Sequence, residues 1–162
     1  MTQDPATAPV LFDRALLAER QRRASRAPEK FLLERVAEDM VDRLLAVNRA
    51  FADAADIWTP GAGLQAALGD RFKTFAHVAA PEGAREELVL APQSLDLALS
   101  ALAFQFVNDL PGLLAQIRRA VRPDGLLLAA MIGGDTLTEL RQSFAAAEAE
   151  CESGVSPPII AA

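Results

Sequence analysis

The chain has 162 residues, half of them apolar, with a net charge of −6 and a single cysteine and histidine, Cys151 and His77. That length predicts one domain with an ordinary core, and no apolar run reaches the roughly 20 residues that cross a bilayer. One Cys and one His cannot build a disulfide framework or a Cys/His zinc site within one chain, and the acidic balance argues against a general nucleic-acid binder.

The N-terminus MTQDPATAPV lacks a charged start followed by an apolar core, so a soluble protein with a cytoplasmic location is expected. Residues 1–10 read as a flexible N-terminus, 11–152 as a single domain and 153–162 as a proline-bearing tail. Two helices are predicted over 11–26 and 28–50, with Pro28 in the first turn of the second. Phe31, Val36, Met40, Leu44 and Val47 make one apolar stripe for packing on a sheet. Arg20, Arg22, Arg23 and Arg26 form a concentrated basic patch, read either as a solvated helix face or as a docking face for an acidic protein or carrier.

Ala54–Trp58 reads as a strand that runs into the turn Thr59-Pro60-Gly61-Ala62-Gly63 and a short helix. Phe72–Ala80 is the second strand and Asp96–Leu102 the next. Asp109 and Pro111 start a helix whose stripe is Leu110, Leu113, Leu114, Ile117 and Val121, with Arg118, Arg119 and Arg122 around its last turn. Pro123-Asp124-Gly125 then turns the chain into a strand over Leu126–Met131. Thr136 and Glu139 have capping-box spacing before a helix reaching residue 151. The alternation predicts a doubly wound α/β domain with a parallel sheet of at most five strands, in which Asp96–Leu102 and Leu126–Met131 are neighbours. An open sheet edge predicts a covering protein partner or a second copy of the chain.

The segment SLDLALSALAFQFVNDLPGLLAQIRRAVRPDGLLLAAMIGGDTLTELR, Ser94 to Arg141, resembles the fourth and fifth strands of class I S-adenosylmethionine-dependent methyltransferases. It is most similar to the group holding the malonyl-carrier-protein methyltransferase of biotin synthesis and the mitochondrial assembly factor of NADH:ubiquinone oxidoreductase. LFDRALLAERQRRASRAPEKFLLERVAEDMVDRLLAVNR, from Leu11, resembles the same group. The resemblance implies a Rossmann-like class I methyltransferase sheet, here truncated, with N-terminal helices. It implies S-adenosylmethionine as cofactor, with Asp56, Gly61, Gly63, Glu82 and Gln105 as the residues matching its site.

The match departs from the family in that site. The family's Asp-x-Gly-x-Gly-x-Gly, aligned on Asp56, puts Trp58, Pro60 and Ala62 where glycines let the backbone approach the cofactor, with Gly61 and Gly63 one residue out of step. Val78 takes the place of the acid that binds the ribose, with Glu82 the nearest carboxylate, and Ala84 that of the acid facing adenine. The helix and third strand that wall the adenine have no counterpart before Glu86. Gln105 stands where the family has a histidine, so a group titrating near neutral pH is lost there. No catalytic residue is assigned. The resemblance implies methylation of a carrier-bound acyl group or of a protein. The alternative is an inactive binding or assembly module associated with respiratory complex I subunits. A third reading, hydroxylation of an arginine on a partner subunit, finds no metal-ligand cluster in the sequence to support it.

Overall fold

A computed structural model describes residues 10–81, 83 and 85–151. Helix α1 (Arg14–Ala24) begins where the Asp13 carboxylate accepts the amide of Leu16 at 3.0 Å. Helix α2 (Phe31–Ala46) starts three residues after Pro28, so the proline precedes the helix instead of filling its first turn. The helix is shorter than expected at both ends. Ala37, Met40 and Leu44 carry its buried face, while Phe31 and Val47 are exposed.

Strand β1 (Asp53–Ile57), helix α3 (Gly63–Leu68), strands β2 (Thr74–Val78) and β3 (Leu95–Ala101), helix α4 (Leu110–Ala120), strand β4 (Val121–Ala130) and helix α5 (Thr138–Cys151) follow in that order. The strands are all parallel in the order β2-β1-β3-β4, with Ala55 opposite both Ala76 and Ala98, and Leu99 opposite Leu128. The expected neighbours β3 and β4 are therefore paired. The second strand is shorter than the 72–80 expected, and the two central strands begin and end one residue early.

Burial explains the apolar runs. A parallel sheet is covered on both faces, so its central strands cannot alternate polar with apolar. On one face Ala55, Ile57 and Ala98 meet Leu113, Ile117 and Ala120 of α4; on the other Ala54, Leu97 and Leu99 meet Met40 and Leu44 of α2 and Leu64 and Leu68 of α3. A fully buried leucine contributes about 1.5–3 kcal/mol by leaving water. Leu97 and Leu99 are completely buried, so β3 is the centre of this core.

Helix α4 shows how sequence sets a boundary. The Asp109 carboxylate accepts the Gly112 amide at 2.9 Å, and a Cβ on Gly112 would stand 2.0 Å from that carboxylate. Pro123-Asp124-Gly125 does not precede the last strand; it is a bulge inside β4. Asp124 has φ 63°, and the register with β3 slips between Leu95 and Leu97.

The chain divides after Met131 into two compact units, the first holding the sheet. In the second, α5 starts at Thr138, two residues later than the predicted cap Thr136. Arg141 holds the preceding turn instead, donating to the carbonyls of Thr136 and Gly134 and to Thr138 Oγ1. No described helix is long and apolar enough to cross a membrane.

Candidate functional site at the carboxyl ends of the strands

The chain passes from β1 to β2 on one side and then to β3 on the other, so the strand order reverses at the β1–β3 boundary. Crevices at such reversals, outside the carboxyl ends of the strands, are where α/β sheets bind ligands. Trp58 leaves β1 there, and Leu102 to Phe106 leave β3 there.

Trp58 holds φ 63°, a conformation that favours glycine, and its indole is buried among Ile57, Leu88, Phe104 and Leu113. Its amide donates to Val78 O at 2.8 Å, tying the exits of β1 and β2 together. The Thr59 hydroxyl accepts the Ala101 amide at 2.9 Å and ties β1 to β3 in the same way. Gly61 has φ 72° with nothing within 4 Å of a would-be Cβ, so the turn requires glycine for its dihedral and the space beside it is open. Gly63 differs. A Cβ there would lie 2.7 Å from Leu33 Cδ2, so its bare backbone admits a side chain of α2.

Asp56 is fully buried, facing the α2 side of the sheet. Its Oδ2 lies 3.0 Å from Nδ1 of His77, the residue opposite it on β2, and its Oδ1 has no partner among the described residues. Burial pushes its carboxyl above the ordinary 3.8, against hydrogen bonds from Thr59 and His77. Val78, at the position expected for a ribose acid, offers only an apolar side chain, and Glu82 and Ala84 lie outside the described residues. Gln105 is buried in the short turn Phe104–Phe106; its Nε2 donates to Leu102 O at 2.9 Å while Oε1 has no partner among the described residues.

One residue that local pattern could not reveal sits over this crevice. Arg14, at the start of α1, donates to Pro81 O at 3.1 Å and Phe106 O at 3.5 Å, and its guanidinium lies 5.7 Å from the Trp58 ring centroid. The loops leaving β1, β2 and β3 thus converge on one side chain. Glu86 stands 3.8 Å from the guanidinium and accepts the amides of Asn108 and Asp109. Asn108 in turn accepts the amides of Leu11 and Phe12 and donates to Phe12 O. Phe12 meets Phe106 edge-on at 6.0 Å. The entry to α1 is therefore fastened across the strand ends. Arg14 Nε, Trp58 Nε1 and Gln105 Oε1 remain buried without partners among the described residues.

Of the residues that the sequence singled out, the structure places Asp56, Gly61 and Gln105 around the strand exits and gives Gly63 to helix packing. Arg14, Glu86 and Asn108 were missed. Their contacts span 22 to 97 residues of sequence, a separation that no local spacing encodes. At the opposite ends of the strands a cleft of about 260 Å³ is lined by Leu44, Phe51, Phe72, Arg49 and Arg71, among others. Among the described residues no group of three or more His, Cys, Asp or Glu is placed to hold a metal ion.

Residues 56–129 match the family described as methyltransferase domain. The human mitochondrial arginine-hydroxylase NDUFAF5 is 35% identical over 171 residues, an alignment that covers 92% of this chain and 50% of that protein. The malonyl-[acyl-carrier protein] O-methyltransferase of Xylella fastidiosa is 48% identical over 67 residues, 41% of this chain and 23% of that one. The chain spans about half the length of the curated mammalian relatives it matches. Among solved structures, a Methanococcus maripaludis protein assigned as an S-adenosylmethionine-dependent methyltransferase superposes with a TM-score of 0.50 at 17% identity, covering 94% of this chain and 76% of that one. Phosphoethanolamine N-methyltransferase 1 of Haemonchus contortus gives 0.51 at 14% identity, covering 73% and 32%. The two structural likenesses establish the fold.

Proposed function

We propose that this chain, which belongs to the S-adenosylmethionine-dependent methyltransferase family, has kept the family's sheet and serves as a protein-binding module in place of methyl transfer. One observation carries the reading: at the strand exits, where the cofactor would bind, the chain's own Arg14 bridges the loops and lies over the buried Trp58. The residues present do not fit S-adenosylmethionine. An indole occupies a position that needs bare backbone, the space at Gly63 belongs to Leu33, and the ribose position carries Val78.

Methyl transfer is an in-line displacement to which a fold contributes cofactor grip and alignment, so losing the grip removes the chemistry. Removing one recognition group worth about 1.4 kcal/mol weakens binding about tenfold, and removing three weakens it about a thousandfold. A relative is named for hydroxylating arginine and another as a malonyl-[acyl-carrier protein] O-methyltransferase, whose substrate is borne by a protein. The module reading keeps a protein as the partner, a respiratory-complex subunit being one candidate, and a cytoplasmic setting for this chain.

Calorimetric titration of the full chain with S-adenosylmethionine and with S-adenosylhomocysteine is the test. The expected result is no saturable heat with either. Stoichiometric binding of either would overturn the module reading and restore methylation of a carrier-bound acyl group or a protein.

A further inference from the structure

The second half of α1 and its link to α2 form the longest wholly exposed run among the described residues. Residues 19–32, ERQRRASRAPEKFL, are all exposed, and α1 buries no residue at all. Isolated helices of this length are marginal in water, most helical stability in proteins coming from a packed face. Among the described residues only the entry to α1 is fastened down, through Asn108 and Arg14. The rest of the helix has no cover among the described residues.

Its charge states what the cover would be. Arg20, Arg22, Arg23, Arg26 and Lys30 oppose only Glu19 and Glu29, a local excess of three positive charges on a chain whose net charge is −6. Arg23 pairs with Glu19 at 3.1 Å, whereas the side chains of Arg20, Arg22 and Arg26 make no hydrogen bond or ion pair among the described residues. Phe31 and Leu32 stand beside them, 78% and 49% exposed. We infer that residues 19–32 are a docking surface for an acidic protein segment that pairs carboxylates with the arginines and seats an apolar side chain against Phe31 and Leu32.

The alternatives fit less well. A helix that lies in a membrane surface presents a broad apolar face, and α1 offers only the short run Ala15-Leu16-Leu17-Ala18 before its polar second half. Nucleic acid would meet the repulsion of the net negative chain. Arginine, with its planar fork, suits carboxylates bidentately.

This inference names the partner chemistry of the module proposed above and rests on that reading. The two fail separately, because cofactor titration reports on the strand ends and the following experiment reports on α1. Isotope-labelled full chain is titrated with a synthetic helical peptide bearing glutamates along one face and leucines beside them. Parallel titrations use vesicles containing about one third phosphatidylserine and a short DNA duplex. The expected result is amide shifts confined to residues 19–32, with affinity falling as salt rises. Affinity falls at least about tenfold in Arg20→Glu/Arg22→Glu/Arg26→Glu. Reversing two charges on the exposed face of α4, Arg118→Glu/Arg119→Glu, leaves it nearly unchanged, while the matching pair Arg20→Glu/Arg22→Glu still weakens it. Equal losses in both variants would reduce the effect to overall charge and overturn the docking surface. So would tighter binding to vesicles or DNA, or the absence of shifts with the peptide.

Discussion

The two ends of the sheet are built on different terms. At the amino ends of the strands, one Arg122 nitrogen donates at 2.8 Å to Asp53 Oδ2 and to Asp96 Oδ1. Asp96 also accepts the amides of Ala52 and Asp53, and Asp53 accepts the Thr74 hydroxyl at 2.7 Å. All four strands are stitched there by groups that satisfy one another. At the carboxyl ends, Trp58 and Leu102 hold φ 63° and 56°, and Trp58 Nε1, Gln105 Oε1 and Arg14 Nε have no partner among the described residues. A bulky residue in the left-handed region costs on the order of 1–3 kcal/mol, and such strain collects at functional ends of folds. The amino ends carry the architecture, and the carboxyl ends keep the marks of a site.

The largest effect that would break this contrast is expected at Trp58. Trp58→Ala removes a buried indole while keeping a Cβ at φ 63°, and should cost about 3–5 kcal/mol in chemical denaturation. Trp58→Gly should cost about 1 kcal/mol less, reversing the usual order of alanine and glycine. If glycine is the worse of the two, the strain assigned to the carboxyl end is absent.

Next comes pH. The Arg122 guanidinium, then the amides of Asp53 and Ala52, hold the Asp96 carboxyl down to about 2. A depressed folded value stabilises above the ordinary 3.8 and is lost as pH falls from about 4 toward 2, by about 1–2 kcal/mol after solvent screening. Asp96→Asn should flatten that limb of an unfolding series. Asp56, at the other end, carries the opposite sign. Burial raises its folded value, so the folded state gains stability as pH falls through that value toward 3.8. Asp56→Asn should therefore exceed the parent in stability at neutral pH, with the difference closing in acid. Parallel pH slopes in the two variants would erase the distinction between the ends.

Asn108→Ala removes three hydrogen bonds to the chain entering α1, an expected local loss of about 1–3 kcal/mol. Hydrogen exchange should speed up in residues 10–18 and stay unchanged in β3. Acceleration throughout the sheet would mean that the strap is part of the architecture. The smallest effect is expected for Gln105→Leu, which deletes a buried carbonyl without a partner among the described residues together with the Nε2 bond to Leu102 O. Stability should stay within about 1 kcal/mol of the parent. A larger loss would show that the Gln105 amide, through its bond to Leu102 O, is part of the architecture of this end.

Much of the frame was legible because its signals are local. The apolar runs of β1, β3 and β4, the Asp109 cap and the Gly61 turn each follow from neighbours in sequence, and the pairing of β3 with β4 follows from handed connections. The site was legible only where it lay on those elements. Asp56 was singled out but its partner His77 was not, since the two meet through strand register. Arg14 was not singled out. Its role depends on carbonyls at positions 81 and 106, which folding brings together and spacing does not. Pro28 misled for a similar reason. It looked like a helix start, yet α2 begins three residues later, with Phe31 exposed at its first position.

Trp58 is also the chain's one tryptophan, so every photon of indole emission comes from the crevice. A ring held out of water beside a guanidinium emits at shorter wavelength and with different intensity from one in solvent. Lifting the start of α1 would wet that ring and shift its spectrum to the red before the sheet responds. The protein thus carries, with no label added, an optical gauge of whether the start of α1 covers the strand exits.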